Sequence, residues 1–158
     1  MESWASDEAA LFWAKIASSM SRLLATLDGL RTAQLDWRPP APGANSLAAL
    51  AAHVLANLEE NIAGVVLGHT ILRAREDEFA NPQRDLQALE RRWSEVRERC
   101  EAGLRQLAAT ELVALRDHPR RGRVTVREVL LVVARHVEQH KGQAELTRDL
   151  LLATRLAG

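Results

Sequence analysis

Two histidines stand four residues apart near the end of the chain, His136 and His140, inside the stretch Arg135-His136-Val137-Glu138-Gln139-His140-Lys141-Gly142-Gln143. Positions 126, 129, 133, 136, 140, 143, 147 and 150 advance by alternating steps of three and four and read Val, Val, Val, His, His, Gln, Thr, Leu. On a helix such steps keep side chains on one face. The apolar half of that face belongs in a core, and two imidazoles and an amide continue it. Two imidazoles one turn apart can reach a common metal ion. The same spacing also suits two partly buried histidines satisfied by hydrogen bonds, and the helix alone leaves both readings open. Val137 follows His136, so this is not the His-Glu-x-x-His helix of a zinc peptidase.

Other residues with chemical potential are scattered. His53 sits at the edge of an apolar stripe, one turn before Asn57, where a lone histidine is usually structural. Glu60 follows it by two turns as a nearby acid, although Glu59 and Glu60 both read as exposed. Arg116, Arg120, Arg121 and Arg123 place four arginines within eight residues. Such a cluster suits a carboxylate or phosphate, or else a solvated loop. Cys100 is the only cysteine, which excludes an internal disulfide and fits a reducing, cytoplasmic setting. It falls within an apolar stripe and reads as an inert core thiol.

The elements that must position these residues are helical. With 158 residues, 47% hydrophobic and 27% charged, the chain is expected to form one domain over 1–158 with a real core. Apolar stripes predict helices over 6–28, 46–67, 82–107 and 125–152. Phe12, Ile16, Met20, Leu23, Leu27 and Leu30 mark the first. Leu47, Leu50, Val54, Leu58, Ile62 and Val65 mark the second, and Leu86, Leu89, Trp93, Val96, Cys100, Leu104 and Leu107 the third. Ser6 and Ser46 are natural caps, and Asn81-Pro82 is a start signal for the third helix. Thr125-Val126-Arg127-Glu128 is a capping box for the last. Three prolines break residues 31–45, with Trp37 a plug over one end of the core or the lining of a pocket mouth. The charged run Arg73, Arg75, Glu76, Asp77, Glu78 reads as a solvated loop, as does 110–124. Four such helices predict an all-α four-helix bundle, whose inward residues can build a ligand site.

Two segments, taken with the histidines, carry a family resemblance. Trp37-Arg38-Pro39-Pro40-Ala41-Pro42-Gly43-Ala44-Asn45-Ser46-Leu47 is followed by His53. His118-Pro119-Arg120-Arg121-Gly122-Arg123-Val124-Thr125-Val126-Arg127-Glu128 is followed by His136, His140 and Gln143. Together, in this order, they resemble the DinB/YfiT-like superfamily over nearly the whole chain. The resemblance implies an up-up-down-down bundle, often dimeric, with a divalent ion held by one histidine of the second helix and two of the last. Those map onto His53, His136 and His140. Asn57, Glu60 and Gln143 are then the nearby candidates for acceptors behind the ligands. Three neutral histidines suit zinc, nickel, iron or manganese.

Three imidazoles leave a coordination position for water or substrate. By resemblance, the leading expectation is a transferase that activates a low-molecular-weight thiol (bacillithiol, mycothiol or glutathione) for attack on a small electrophile. Arg120, Arg121 or Arg123 would grip a carboxylate. The alternatives are a hydrolase using metal-bound hydroxide, with Glu60 or Glu138 as base, and a non-enzymatic metal-binding stress-response protein. Zero net charge and the lack of interleaved aromatics argue against nucleic acid. No long uncharged apolar run is present, and Met1-Glu2-Ser3-Trp4 is no signal peptide, so neither membrane nor export is expected. Trp4, Trp13 and Trp93 are candidates for a homodimer contact.

Overall fold

A computed structural model describes residues 3–156, with side chains to residue 154. The elements are α1 (Asp7–Ala25), α2 (Thr32–Leu35), α3 (Leu47–Leu58), α4 (Asp77–Ala80), α5 (Leu86–Arg105), β1 (Leu115–His118), β2 (Gly122–Thr125) and α6 (Val126–Leu156). A π-helical stretch, Glu59–Val66, continues α3 without a break, and a 3₁₀ turn covers Ala109–Val113.

The long helices are α1, α3 with its π extension, α5 and α6, and they form an all-α, up-up-down-down bundle. α1 packs on α5 and α6, and α3 packs on α6 while its extension reaches α5 and α6. Local chemistry starts each helix. Ser6 Oγ accepts from the Ala9 amide at 3.3 Å, and Ser46 Oγ from the Ala49 amide at 3.2 Å. Thr125 and Glu128 form the reciprocal box at the start of α6, with Thr125 N donating to Glu128 Oε2 at 2.7 Å and Glu128 N to Thr125 Oγ1 at 3.2 Å. The third long helix begins later than Asn81-Pro82 suggests. Asp85 is its cap, accepting from the Gln87 amide at 3.0 Å, while Arg84 holds Asn81 Oδ1 and the Pro82 carbonyl outside the helix.

The predicted stripes form one core. Ile16, Met20, Leu23 and Leu27 meet Leu47, Leu50, Leu58, Ile62, Leu89, Leu104, Val126, Val133 and Val137, all buried. Removing one such leucine from water contributes roughly 1.5–3 kcal/mol. α3 is buried on almost every side, because alanines at 48, 49, 51, 52 and 56 let neighbouring helices close around it. That central position carries His53 inside.

Three expectations are corrected. Trp13 and Trp93 are core residues, with ring centroids 6.2 Å apart. α1 packs on two helices, so it needs two apolar faces. Each indole N–H also has an internal partner, Glu101 Oε2 at 3.0 Å for Trp13 and Ser21 Oγ at 3.2 Å for Trp93. Trp4 lies under the Arg105 guanidinium at 5.0 Å. Trp13 and Trp93 stabilise the chain internally and are not free for a subunit contact, whereas Trp4 is half-buried.

Second, residues 110–124 are not a plain solvated loop. β1 and β2 pair antiparallel from Leu115 opposite Thr125 to His118 opposite Gly122. The turn is Pro119-Arg120-Arg121, closed by Arg121 N donating to the His118 carbonyl at 3.3 Å. Proline fits the first central position, and Gly122 supplies the positive φ of 69° that ends it. Third, the charged run after His69 is folded inward at Arg73 and Glu78. Trp37 is half-buried.

Candidate metal centre

α3 brings His53 to one face of α6, where His136 and His140 project. The ring centroids of His53 lie 5.0 Å from His136 and 5.2 Å from His140, and the last two are 4.4 Å apart. His53 Nε2 and His140 Nε2 each approach His136 Nε2 at 3.1 Å. One nitrogen from each ring falls within 4.8 Å of the others. Zinc–nitrogen bonds of about 2.0–2.1 Å in a tetrahedral shell place two donors about 3.3 Å apart. The spacing therefore fits donors around one ion. His53 is buried, and His136 and His140 are half-exposed, so the cluster faces solvent on the α6 side.

Proton accounting favours the same conclusion. His53 Nδ1 lies 2.8 Å from Glu78 Oε2. A carboxylate accepts only, so Nδ1 carries the hydrogen and Nε2 keeps its lone pair. His140 Nδ1 faces Gln143 Oε1 at 2.6 Å, which leaves its Nε2 lone pair free as well. His136 Nε2 stands between two lone pairs and can donate toward them only as a single N–H. Its Nδ1 is buried with no hydrogen-bond partner among the described residues. A cation at the shared point satisfies all three Nε2 atoms at once, so the residues present fit a divalent ion.

All three rings are held neutral. Burial pushes His136 down to about 3, helped by His140, His53, Arg73 and Arg121. Burial also lowers His53, against the pull of Glu78, and lowers His140, against its bond to Gln143. Neutral imidazole is the form that binds metals.

Behind His53 lies a buried ionic chain. Glu78 receives both arms of Arg73, from Nε at 2.6 Å and Nη2 at 2.9 Å. Arg73 also donates to Glu60 Oε2 at 2.8 Å, and Glu60 takes two further bonds from Arg120 of the hairpin turn. The Arg73 and Glu78 side chains are 6% and 7% exposed, too little for the solvated loop that the sequence pattern predicts.

Of the candidate acceptors, Gln143 meets His140 directly. Glu60 touches no histidine and reaches the centre only through Arg73 and Glu78. Asn57 gives its carbonyl to the Asn61 amide at 2.8 Å, and no bond from it to a histidine occurs among the described residues. Of the candidate anion-binding arginines, Arg120 is committed to Glu60. Arg123 is exposed, 3.9 Å from Asp117. Arg121 has no side-chain partner among the described residues. It lines a small crevice with Val129 and Val132, two turns and one turn before His136, and its charge is felt at that ring.

Both acids considered as bases are engaged. Arg120 first, then Arg73, hold Glu60 at about 2. Lys141 first, then Ser19, hold Glu138 at about 2. Glu138 faces α1 through Ser19 and Lys15. Cys100 is fully buried, its thiol pushed up to about 12 by burial.

The sequence matches the DinB superfamily over residues 16–144. No curated protein matches the chain. Among solved structures, a conserved protein from Enterococcus faecalis is similar at TM-score 0.71 and 20% identity, over 91% of this chain and 96% of that one. At that identity the likeness concerns the fold. The family match spans the helices that bring His53, His136 and His140 together, and on that match the chain belongs to the DinB superfamily.

Proposed function

We propose that His53, His136 and His140 bind one divalent ion and that the protein is a metal-dependent transferase using a low-molecular-weight thiol. The observation that carries this reading is three convergent, neutral imidazole lone pairs with no anionic ligand beside them. A divalent ion held by neutral ligands keeps most of its charge, and so favours the thiolate of a thiol brought to it. Among the described residues, no cysteine or serine hydrogen-bonds His53, His136 or His140; Cys100 is in the core and Ser19 bonds Glu138. The nucleophile therefore comes with the cosubstrate. Its sulfur loses a proton to solvent, bonds the electrophilic carbon, and the leaving group departs with its electron pair. Arg121, which has no side-chain partner among the described residues, would pair with a carboxylate of that thiol.

Hydrolysis is the second reading, and it is less well supported because Glu60 and Glu138 are both committed to cations. Glutathione, bacillithiol and mycothiol, each offered with an activated aryl chloride, test the proposal. Thiol-dependent product that requires added metal supports it. Thiol-independent ester or amide cleavage would support hydrolysis instead. Bound metal with neither activity would favour a binding role.

The proposal includes a homodimer, with Leu11 of α1 and Leu131 and Leu146 of α6 as exposed apolar candidates in place of the buried Trp13 and Trp93. Light scattering that gives a monomer at every accessible concentration would end that part. Among the described residues, no helix is long and apolar enough to cross a membrane.

A further inference from the structure

We infer that Glu78, clamped by Arg73, is the positioning residue that fixes His53 as the Nδ1–H tautomer and turns its Nε2 lone pair toward His136 and His140. The inference rests on the metal-centre reading for its consequence, but the tautomer itself is a property of the chain.

The three histidines reach the centre by different means. His136 and His140 sit on one rigid helix, so α6 sets their separation. His53 arrives alone from α3, and a free imidazole prefers neither nitrogen strongly as the protonated one. Something must choose. The Phe79 ring packs 4.9 Å from the His53 ring and limits its tilt, but a phenyl face cannot select a tautomer. The Glu78 carboxylate at 2.8 Å can, because an Nδ1 lone pair at that distance would face an anionic oxygen. The Arg73 Nη2 contact to the same nitrogen is longer, at 3.4 Å, and the carboxylate prevails.

Arg73 then decides what Glu78 can do. Its fork occupies both carboxylate oxygens, so Glu78 is kept as an acceptor behind the ring and is not free to swing forward as a ligand. Glu60 holds the far side of the same guanidinium, and Arg120 holds Glu60. The orientation of one ligand thus depends on the segment between the π-helical stretch and α5, with the hairpin as a brace. Partners behind metal-bound histidines typically change affinity by about 10–100-fold when removed.

The test compares the wild type with Glu78→Gln, whose amide oxygen can still accept from Nδ1, and Glu78→Met, which keeps the volume but cannot. Long-range nitrogen–proton NMR reads the His53 tautomer without metal, and chelator competition reads zinc affinity. The wild type is expected to show Nδ1–H. Glu78→Gln should keep that tautomer and lose less than tenfold in zinc affinity. Glu78→Met should give mixed tautomers and lose about 10–100-fold. An Nε2–H tautomer in the wild type would overturn the inference, whether or not either variant folds. So would a Glu78→Met protein with Nδ1–H and unchanged affinity. Absence of zinc binding in a wild type that shows Nδ1–H would instead end the metal reading and leave the tautomer assignment in place.

Discussion

At the residue scale, two side chains give sharp expectations. Glu60 sits between Arg73 and Arg120, and its carboxyl is held at about 2 against an ordinary 4.5. A lowered folded pKa means that the stabilisation is complete above the ordinary value and is lost as pH falls through the folded one. Glu60→Gln should therefore destabilise the protein at neutral pH by about 2 kcal/mol, the size of a charged hydrogen bond. The gap between variant and wild type should narrow below about pH 4.5 and close near pH 2; denaturant midpoints across that range check it, and a constant gap would contradict it. Arg121 is the opposite case, a cation whose charge is felt at His136 and which has no side-chain partner among the described residues. Arg121→Ala should not weaken metal binding, since it removes a positive charge felt at His136, and should weaken a carboxylate-bearing thiol by about 10–100-fold, the worth of a charge-assisted bond. Equilibrium binding of that thiol to the metal-loaded protein measures the difference, and equal affinities would remove Arg121 from the account.

At the scale of elements, the π-helical stretch organises the surroundings of the centre. Widened helical turns often occur at functional sites, and here three successive residues reach five side chains. Glu59 takes Arg92 and Arg99 of α5 at 2.8 and 3.1 Å, and Glu60 takes Arg73 and Arg120. Asn61 Oδ1 accepts from His118 Nε2 of β1 at 3.0 Å, while His118 Nδ1 accepts from the Arg120 amide at 3.1 Å. His118 is thus a structural histidine that anchors the hairpin. Asn61→Ala should leave its buried N–H unmet and destabilise the protein by about 1–3 kcal/mol. Urea unfolding checks this, and a loss below 0.5 kcal/mol, roughly the scale of a neutral surface change, would mean that water replaces the amide. The hairpin was readable in part: Pro119 and Gly122 carry its turn chemistry, but strands of four residues leave too short an alternation to recognise.

At the scale of the whole molecule, the bundle was legible because each long helix shows its own apolar stripe in sequence. The capping box at Thr125 and the His136–His140 pair were legible for the same reason, being local. What stayed hidden depends on pairing across distance. Arg73 and Glu78 look like solvated charges until the segment folds back on His53, 25 residues from Glu78. Trp13 looks off-stripe until α1 is seen to pack on two helices. His53 is a lone histidine in its own helix, and the family resemblance, not local spacing, pointed to it as a partner of the other two. Convergence of these three side chains on one ion is the central claim, and metal stoichiometry tests it most directly. Purified wild type, dialysed against zinc, is expected to hold one ion per chain. The variant His53→Ala, His136→Ala, His140→Ala is expected to hold none while keeping most of its helical circular dichroism, since the apolar core maintains the fold. Unchanged stoichiometry in that folded variant would contradict the claim.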